Sequence, residues 1–314
     1  MRIAIIGQQD FGKAVLEAFL ARGDEVAGVF CKPEKPGEKP DALRAAAEGL
    51  GLKVLQLPSL KGPEAEQALR ALDVDLGVMA YVLQFAPQSF VNIPKHGTIQ
   101  YHPSLLPKYR GPSSINWPIA RGDTQTGLTI FRPTDGLDEG PVILQKTCAI
   151  GPDDTLGDVY FNHLFPLGVA ALLEAADLVV AGRHTETVQD ENQASYEGWF
   201  KAEESRINWA NHVDQVYNLI RACNPAPGAW CELGGPQDKV KVALYDCRKH
   251  PVRTYGAVRG KPGEIVRITE QSLFINAQGG MIEVLRLKPE GGKKMGAADF
   301  ARERGLTAPA QAPA

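Results

Sequence analysis

The N-terminal third of the chain alternates between short continuous apolar runs and stretches whose apolar positions recur every three or four residues. "RIAIIG" is apolar and ends at glycine, the pattern of a strand covered on both faces. "DFGKAVLEAFLARG" follows, with Val15, Phe19 and Leu20 at helical spacing and Gly23 placed to stop it. "EVAGVFC", "KVLQL" and "VDLGVMA" read as further strands, with the helical stretches "DALRAAAEGLG" and "GPEAEQALRALD" between them. This alternation predicts an α/β fold, a parallel sheet with helices on both faces. Ligands of such sheets gather at the C-terminal ends of strands, which points to the residues after "GVMA" and after "TIQ".

The pattern changes downstream. "TGLTIFRPT" and "GPVILQK" precede "TLGDVYFNHLFPLGVAALLEAADLVVAG", which predicts a long helix that Pro166 kinks or interrupts. From about Arg183 to Glu204 the residues are polar and aperiodic, so a domain boundary is expected there. The helix "HVDQVYNLIRAC" then opens a series of short alternating runs: "AWCELG", "KVKVALYDC", "GEIVRI", "SLFINA" and "MIEVLRLKP". Their spacing predicts a small antiparallel barrel or sandwich. The last stretch, "TAPAQAPA", is low in complexity and reads as disordered.

Composition adds little to this picture. The 314 residues are 44% hydrophobic and 23% charged, as in ordinary globular proteins. A formal charge of −3 supplies no overall attraction to nucleic acid or to an anionic membrane. Five cysteines, an odd number with no C-x-x-C pair, read as reduced thiols in a cytoplasmic protein. The start, "MRIAIIGQQDFG", lacks a small-residue cleavage site and reads as a strand rather than a signal peptide. No stretch is expected to reach the roughly 18 apolar residues of a membrane span.

Candidate chemistry concentrates in "HGTIQYHPSLLPKYRG". Residues two apart in a strand share a face, so Gln100 and His102 point together, with Tyr101 opposite. An imidazole at a strand end can donate to a developing oxyanion or move a proton, and a neighbouring amide can donate to the same oxygen. A lone histidine is more often structural. The loop "TDGLDEG" offers Asp135, Asp138 and Glu139, and a carboxylate brought to His102 would set its tautomer and stabilise its cation. Taken alone, such a loop is more often an exposed acidic turn. The glycine loop "IGQQDFG" lacks the middle glycine of G-x-G-x-x-G, Gln9 standing there, so a nicotinamide cofactor is not provided for.

"YHPSLLPKYRGPSSINWPIARGD" followed by "TGLTIFRPTDGLDEG" resembles the signature of the folate-dependent formyltransferase family. "RINW", "IRACNPAPGAW" and "GGMIEVLRLKPEGGKKM" are similar to its C-terminal, barrel-like (OB-like) domain as found in the methionyl-tRNA enzymes. "IGQQDFG", "LQFAP", "IQYHPSLLP", "SSINW" and "SYEG" resemble the hydrolase portion of 10-formyltetrahydrofolate dehydrogenase. The resemblance implies a catalytic domain over residues 1–190, a linker over 191–204, the barrel-like domain over 205–305 and a tail over 306–314. It implies 10-formyltetrahydrofolate as formyl donor and tetrahydrofolate as product, with no metal. His102 and Asp138 match the family's catalytic histidine and aspartate, with Gln100 beside them. Gln84, Phe85, Ala86, Ser104, Leu105, Leu106, Pro107 and Leu137 are then expected to line the folate site.

Two departures bear on the reaction. The transferases usually carry asparagine at position 100, and the hydrolase portion carries an apolar residue there. The aspartate loop often reads L-D-T-G-D, against Leu137-Asp138-Glu139-Gly140-Pro141 in this chain. The loop "KPEKPGEKPDAL" interleaves Lys32, Lys35 and Lys39 with Glu34, Glu38 and Asp41, whereas strong phosphate binding needs uncompensated basic residues. Water or a small amine is therefore expected as acceptor ahead of methionyl-tRNA. A non-catalytic folate-binding protein is the alternative of another class.

Overall fold

A computed structural model describes residues 1–234, 238–252 and 260–308. The chain forms two compact units. The first takes Met1–Ser114, Thr126–Ala149 and Phe161–Glu197; the second takes Ile115–Gln125, Ile150–Tyr160 and the described residues from Gly198 onward. The division is therefore not the single linker expected over 191–204. Two excursions from the N-terminal part belong with the C-terminal part, and Glu191–Glu197 packs within the first unit because its polar side chains have partners there.

The first unit holds seven strands: β1 (Arg2–Gly7), β2 (Glu25–Phe30), β3 (Val54–Leu55), β4 (Leu76–Ala80), β5 (Thr98–His102), β6 (Gln125–Phe131) and β7 (Val142–Ala149). Their order is β3-β2-β1-β4-β5-β6-β7. β1 pairs in parallel with β2 and β4, and β4 in parallel with β5. Helices α1 (Gln9–Ala21), α2 (Ala42–Gly49), α3 (Pro63–Arg70) and α4 (Gln88–Val91) join these strands. Successive strand residues face opposite sides. Ala4, Ile6, Met79 and Phe30 pack with Leu69 of α3 and Phe90 of α4 on one side. On the other, α1 buries Phe11, Val15, Leu16 and Phe19, each worth about 1.5–3 kcal/mol relative to exposure.

The fully parallel sheet expected from the alternation stops at β5. β6 runs antiparallel to it, with Gln100 opposite Phe131 and His102 opposite Thr129. The helix between these strands, α5 (Asn116–Arg121), belongs to the second unit. The first unit thus has no helix of its own between β5 and β6 to make the crossover that a parallel neighbour needs.

The predicted long helix is interrupted at Pro166. A short α6 (Leu156–Asp158) runs into a π-helical turn at Val159–Leu164, and α7 (Phe165–Val180) starts with Pro166 in its first turn. Proline lacks the N–H for an inherited helical bond, so the register resets there. By length and composition the 25-residue run Leu156–Val180 is sufficient to cross a membrane, against the expectation that no stretch approaches a span. In the fold, α7 lies against α1 and β5 and buries Gly168, Ala171, Leu172, Ala175, Ala176 and Val179. Gly168 makes room for Tyr101: a Cβ there would stand 2.5 Å from the tyrosine ring.

The C-terminal part of the second unit has α8 (Val213–Ala222) as its first α-helix. Strands β8 (Ala229–Leu233), β9 (Val240–Leu244), β10 (Cys247–Pro251), β11 (Ile265–Ile268), β12 (Leu273–Ala277), β13 (Gly280–Val284), β14 (Arg286–Pro289) and β15 (Met295–Gly296) follow, then α9 (Ala297–Glu303). They make two four-stranded sheets, β10-β13-β12-β11 and β15-β14-β9-β8. The pairings are antiparallel, as a small barrel domain requires. "KVKVALYDC" and "MIEVLRLKP", each expected as one run, both split into two strands on different sheets. Val216 and Ile220 of α8 pack with Val242, Leu273, Ile282 and Leu287 of the strands. Leu306 packs against this core and donates its N–H to Ala301, so it is no part of a tail; residues 309–314 lie outside the described residues.

Candidate active site

All the residues proposed for the reaction and the folate site lie in the first unit. β5 ends at His102, which is 6% exposed. Tyr101, on the opposite face, stacks on Phe11 at 4.4 Å between ring centroids. That alternation leaves Gln100 and His102 sharing the other face. Gln100 is half-buried, and its amide has no hydrogen-bond partner among the described residues.

Both ring nitrogens of His102 are addressed. Nε2 lies 2.9 Å from the carbonyl of Tyr109; a carbonyl only accepts, so Nε2 carries a proton. Nδ1 lies 3.5 Å from Asp138 Oδ2. That is ion-pair range and longer than an ordinary hydrogen bond. Asp138 is 9% exposed, and its Oδ2 also accepts the Gly111 backbone N–H at 2.9 Å. Of the three acids of this loop, the one that the family resemblance paired with His102 is the one the fold sets beside it. Asp135 and Glu139, its neighbours in the loop, are exposed. Asp135 instead accepts the Gln88 backbone N–H at 2.9 Å, tying this loop to the one after β4.

Asp138 has φ +54° and Tyr109 φ +59°. A non-glycine residue in the left-handed region costs about 1–2 kcal/mol and needs its surroundings to hold it. For Asp138 the holders are plain. Gln189, a buried side chain, donates from its amide nitrogen to Asp138 O at 2.8 Å and to Gly140 O at 2.7 Å. Gly140 itself must lack a Cβ, which would meet the Arg132 carbonyl at 1.6 Å. The Gln189 oxygen accepts from Arg110 Nε and Nη2 at 3.1 and 2.8 Å. Arg110 is fully buried, and Glu191 grips it at 3.0 and 2.7 Å. The Glu191 bonds raise its basicity further, against the opposing effect of burial. Tyr196 contacts Arg110 and donates to Glu139 at 2.6 Å.

The Pro-rich turn after β5 is closed by internal bonds. Ser104 is sealed from solvent, and its hydroxyl donates to Lys108 O at 2.7 Å. It supports the turn and does not present a hydroxyl to a ligand, contrary to the expectation that it lines the folate site. Leu106 is buried, with N–H on Thr129 at 3.0 Å and carbonyl on Gln145 at 2.8 Å. Leu105 and Pro107 are partly exposed. On the loop after β4, Ala86 is buried in the core beside Phe90, so it anchors that loop. Gln84 donates to Leu57 O at 2.9 Å. Phe85 and Leu137 are 46% and 57% exposed, two large apolar side chains open to solvent.

The first glycine loop is closed to phosphate. Gln9 donates its backbone N–H to both Asp41 carboxylate oxygens, at 2.9 and 2.8 Å. A carboxylate thus occupies the start of α1, where a dinucleotide would set its pyrophosphate. Among the described residues no cluster of three or more His, Cys, Asp or Glu is arranged to hold a metal ion.

Arg110, Gln189, Glu191 and Tyr196 escaped the reading of the sequence. Arg110 stood in plain view beside the motif, in "KYRG", and Tyr196 in "SYEG". The other two sat in the polar, aperiodic stretch read as a domain boundary.

Residues 1–175 match the formyl transferase family, and residues 200–305 match the formyl transferase C-terminal domain. The mitochondrial 10-formyltetrahydrofolate dehydrogenase of Mus musculus is 41% identical over 240 residues, 75% of this chain and 26% of that protein. The chain therefore spans about a quarter of the length of the dehydrogenases it matches. Methionyl-tRNA formyltransferase of Geobacter metallireducens is 33% identical over 307 residues, 96% of this chain and 94% of that one. Among solved structures, HypX from Aquifex aeolicus in complex with tetrahydrofolic acid aligns with a TM-score of 0.69 and 19% identity, over 98% of this chain and 48% of that one. WlaRD, a sugar 3N-formyl transferase, aligns at 0.64 and 19% identity, over 91% and 97%. At such identities these two likenesses speak to the fold.

Proposed function

The chain belongs to the formyl transferase family, and from that premise we propose that it moves the formyl group of 10-formyltetrahydrofolate to water or a small amine. As a family member it is an enzyme working with a formylated tetrahydrofolate. The acceptor is the finer step. The 41% identity with the dehydrogenases' shared segment supports water. A small amine is the other acceptor of the proposal, since an amine nitrogen can attack the same formyl carbon.

The single observation that carries the reading is the buried His102–Asp138 pair at 3.5 Å. In the proposed reaction the acceptor oxygen or nitrogen attacks the formyl carbon, and the carbonyl electron pair moves onto oxygen. His102 Nε2–H is engaged with Tyr109, so Nδ1, when protonated, is the donor to that oxyanion. Gln100, with its amide uncommitted, is the second donor. Asp138 takes the proton leaving the acceptor. Collapse of the tetrahedral intermediate breaks the bond from carbon to N10, and the proton passes to N10. With water the products are formate and tetrahydrofolate. Each oxyanion donor is worth about 2.7–4 kcal/mol. Phe85 and Leu137 would cover the pterin and its linker.

A second reading, methionyl-tRNA as acceptor, is favoured by one observation besides the nearly full-length match. The acids of the loop after β2 are engaged with backbone and with Arg44. Glu34 accepts the Asp41 N–H and the Arg44 guanidinium, and Asp41 accepts from Gln9 and Leu43. Lys32, Lys35 and Lys39 are exposed and make no ion pair among the described residues. Product analysis decides between the readings: the enzyme is incubated with 10-formyltetrahydrofolate alone, with amino sugars and with initiator methionyl-tRNA. Formate or a formylated small amine supports the first reading; formyl-methionyl-tRNA alone moves the assignment to the second. Tight folate binding with no formyl release to any acceptor would mark a binding protein instead.

A further inference from the structure

We propose that Arg110 and Gln189 are positioning residues that hold Asp138 in register with His102, an inference that rests on the reading of those two as the reacting groups. A fully buried guanidinium is costly unless each face of it is matched, and Arg110 is fully buried. Its chain neighbours show what it is placed to do. Tyr109 supplies the carbonyl that fixes His102 Nε2, and Gly111 supplies the N–H that fixes Asp138 Oδ2. Between them, the Arg110 side chain takes hold of the aspartate's backbone through one intermediary.

That intermediary is Gln189, and Arg110 sets its orientation. Two guanidinium N–H groups point at one end of the Gln189 amide, which must therefore be the oxygen. The NH2 end is forced toward the loop, where it donates to the carbonyls of Asp138 and Gly140. One of those bonds falls on the residue whose φ is +54° and the other on the glycine two positions later, so the turn just after the carboxylate is held at both points. Remove them and Asp138 loses what offsets its backbone strain, and its carboxylate is free to leave His102. Glu191 and Tyr196 secure Arg110 from the solvent side. The stretch 189–196 is polar because it is a clamp.

Gln189→Glu tests this. Glutamate keeps an oxygen for Arg110 but offers no N–H to the two carbonyls. Formyl release from 10-formyltetrahydrofolate is measured with thermal unfolding of the same sample, and the His102 ring nitrogens are followed by NMR in the unliganded protein. The expected result is a kcat lower by about tenfold to a hundredfold, since an ångström of misplacement has that effect. KM is expected to stay within about a factor of three, and the His102 signals shift. Arg110→Lys, which keeps the charge and loses the fork, is expected to show the same split. Wild-type kcat in the folded Gln189→Glu protein, or a rise in KM alone, overturns the proposal. If that variant does not fold, Glu191→Gln, at an exposed position, replaces it, and an unchanged kcat there overturns the proposal equally. If the wild-type protein releases no formyl group to any acceptor, the functional reading fails. The His102 signals then decide the clamp by themselves: unmoved, they overturn it.

Discussion

Asp138 Oδ2 faces His102 Nδ1 at 3.5 Å while the same oxygen accepts the Gly111 backbone N–H at 2.9 Å. One carboxylate oxygen is thus both anchored by the backbone and set beside the ring nitrogen that Tyr109 leaves available. With Nε2–H engaged, a hydrogen bond from His102 to Asp138 exists only when Nδ1 also carries a proton.

His102→Ala and Asp138→Ala are each expected to lower turnover by about two orders of magnitude or more, the effect of losing a principal charge-stabilising or proton-transferring group. Steady-state kinetics on samples matched for folded content is the check. Rates near wild type would sink the assignment of these residues.

Gln100 carries a smaller expectation. Its amide has the flexible reach of an extra methylene and no hydrogen-bond partner among the described residues to hold it. Gln100→Leu is expected to lower kcat by about tenfold, less than the 10²–10³ for a fully preorganised donor. Gln100→Asn should recover part of the loss. A leucine variant as fast as the wild type would assign this amide to no step.

Phe85 and Leu137 are exposed apolar side chains on the two loops that the Asp135–Gln88 bond ties together. Phe85 also carries Lys61 Nζ 4.6 Å above its ring. Phe85→Ala is expected to weaken tetrahydrofolate binding by about threefold to tenfold, from the 0.5–1.5 kcal/mol of an aromatic pairing. The melting temperature should hardly move. Calorimetric titration and a thermal melt together test this; a large fall in stability would place Phe85 in the core instead.

Acid sensitivity should appear at Glu34. Burial raises its pKa, but hydrogen bonds from the Asp41 N–H, Gln56 and Arg44 outweigh that and bring it from the usual 4.5 down to about 2. A carboxyl with a depressed folded-state pKa contributes stability above its unfolded value and loses it as pH falls through the folded one. Glu34→Gln is therefore expected to melt lower than wild type at neutral pH, with the gap closing from about pH 4.5 toward about pH 2. Melting curves across that range are the measurement, and a gap that does not depend on pH would place the effect elsewhere.

The first five strands and helices α1 to α3 were legible because each pattern is local; α4, a single turn, was not. "RIAIIG" and "VDLGVMA" are apolar throughout since both their faces are covered, and α1 shows its buried face at helical spacing. His102 was legible for a related reason: strand alternation puts it beside Gln100, and its aspartate lies in a motif of recognisable order. The reversal at β6 was not legible, because the direction of a strand depends on where the preceding segment packs. That segment, α5, packs in the other unit.

The sequence by itself determined the chemistry on offer: an imidazole at a strand end, a carboxylate in a glycine-flanked loop, an amide where relatives carry another residue. Only the tertiary structure decided which polar residues are held inside and for what. Ser104 looked like a ligand contact and proved to close a turn. Glu191 and Tyr196 lay in the expected linker and Gln189 in the polar, aperiodic stretch just before it, and all three proved to grip Arg110, which no local pattern marks as buried. The physical reason is that polarity is written in the residue type, whereas burial and partnership depend on what the rest of the chain brings to that point. A polar residue is loop or clamp according to its neighbours in space, here 79 positions apart for Arg110 and Gln189.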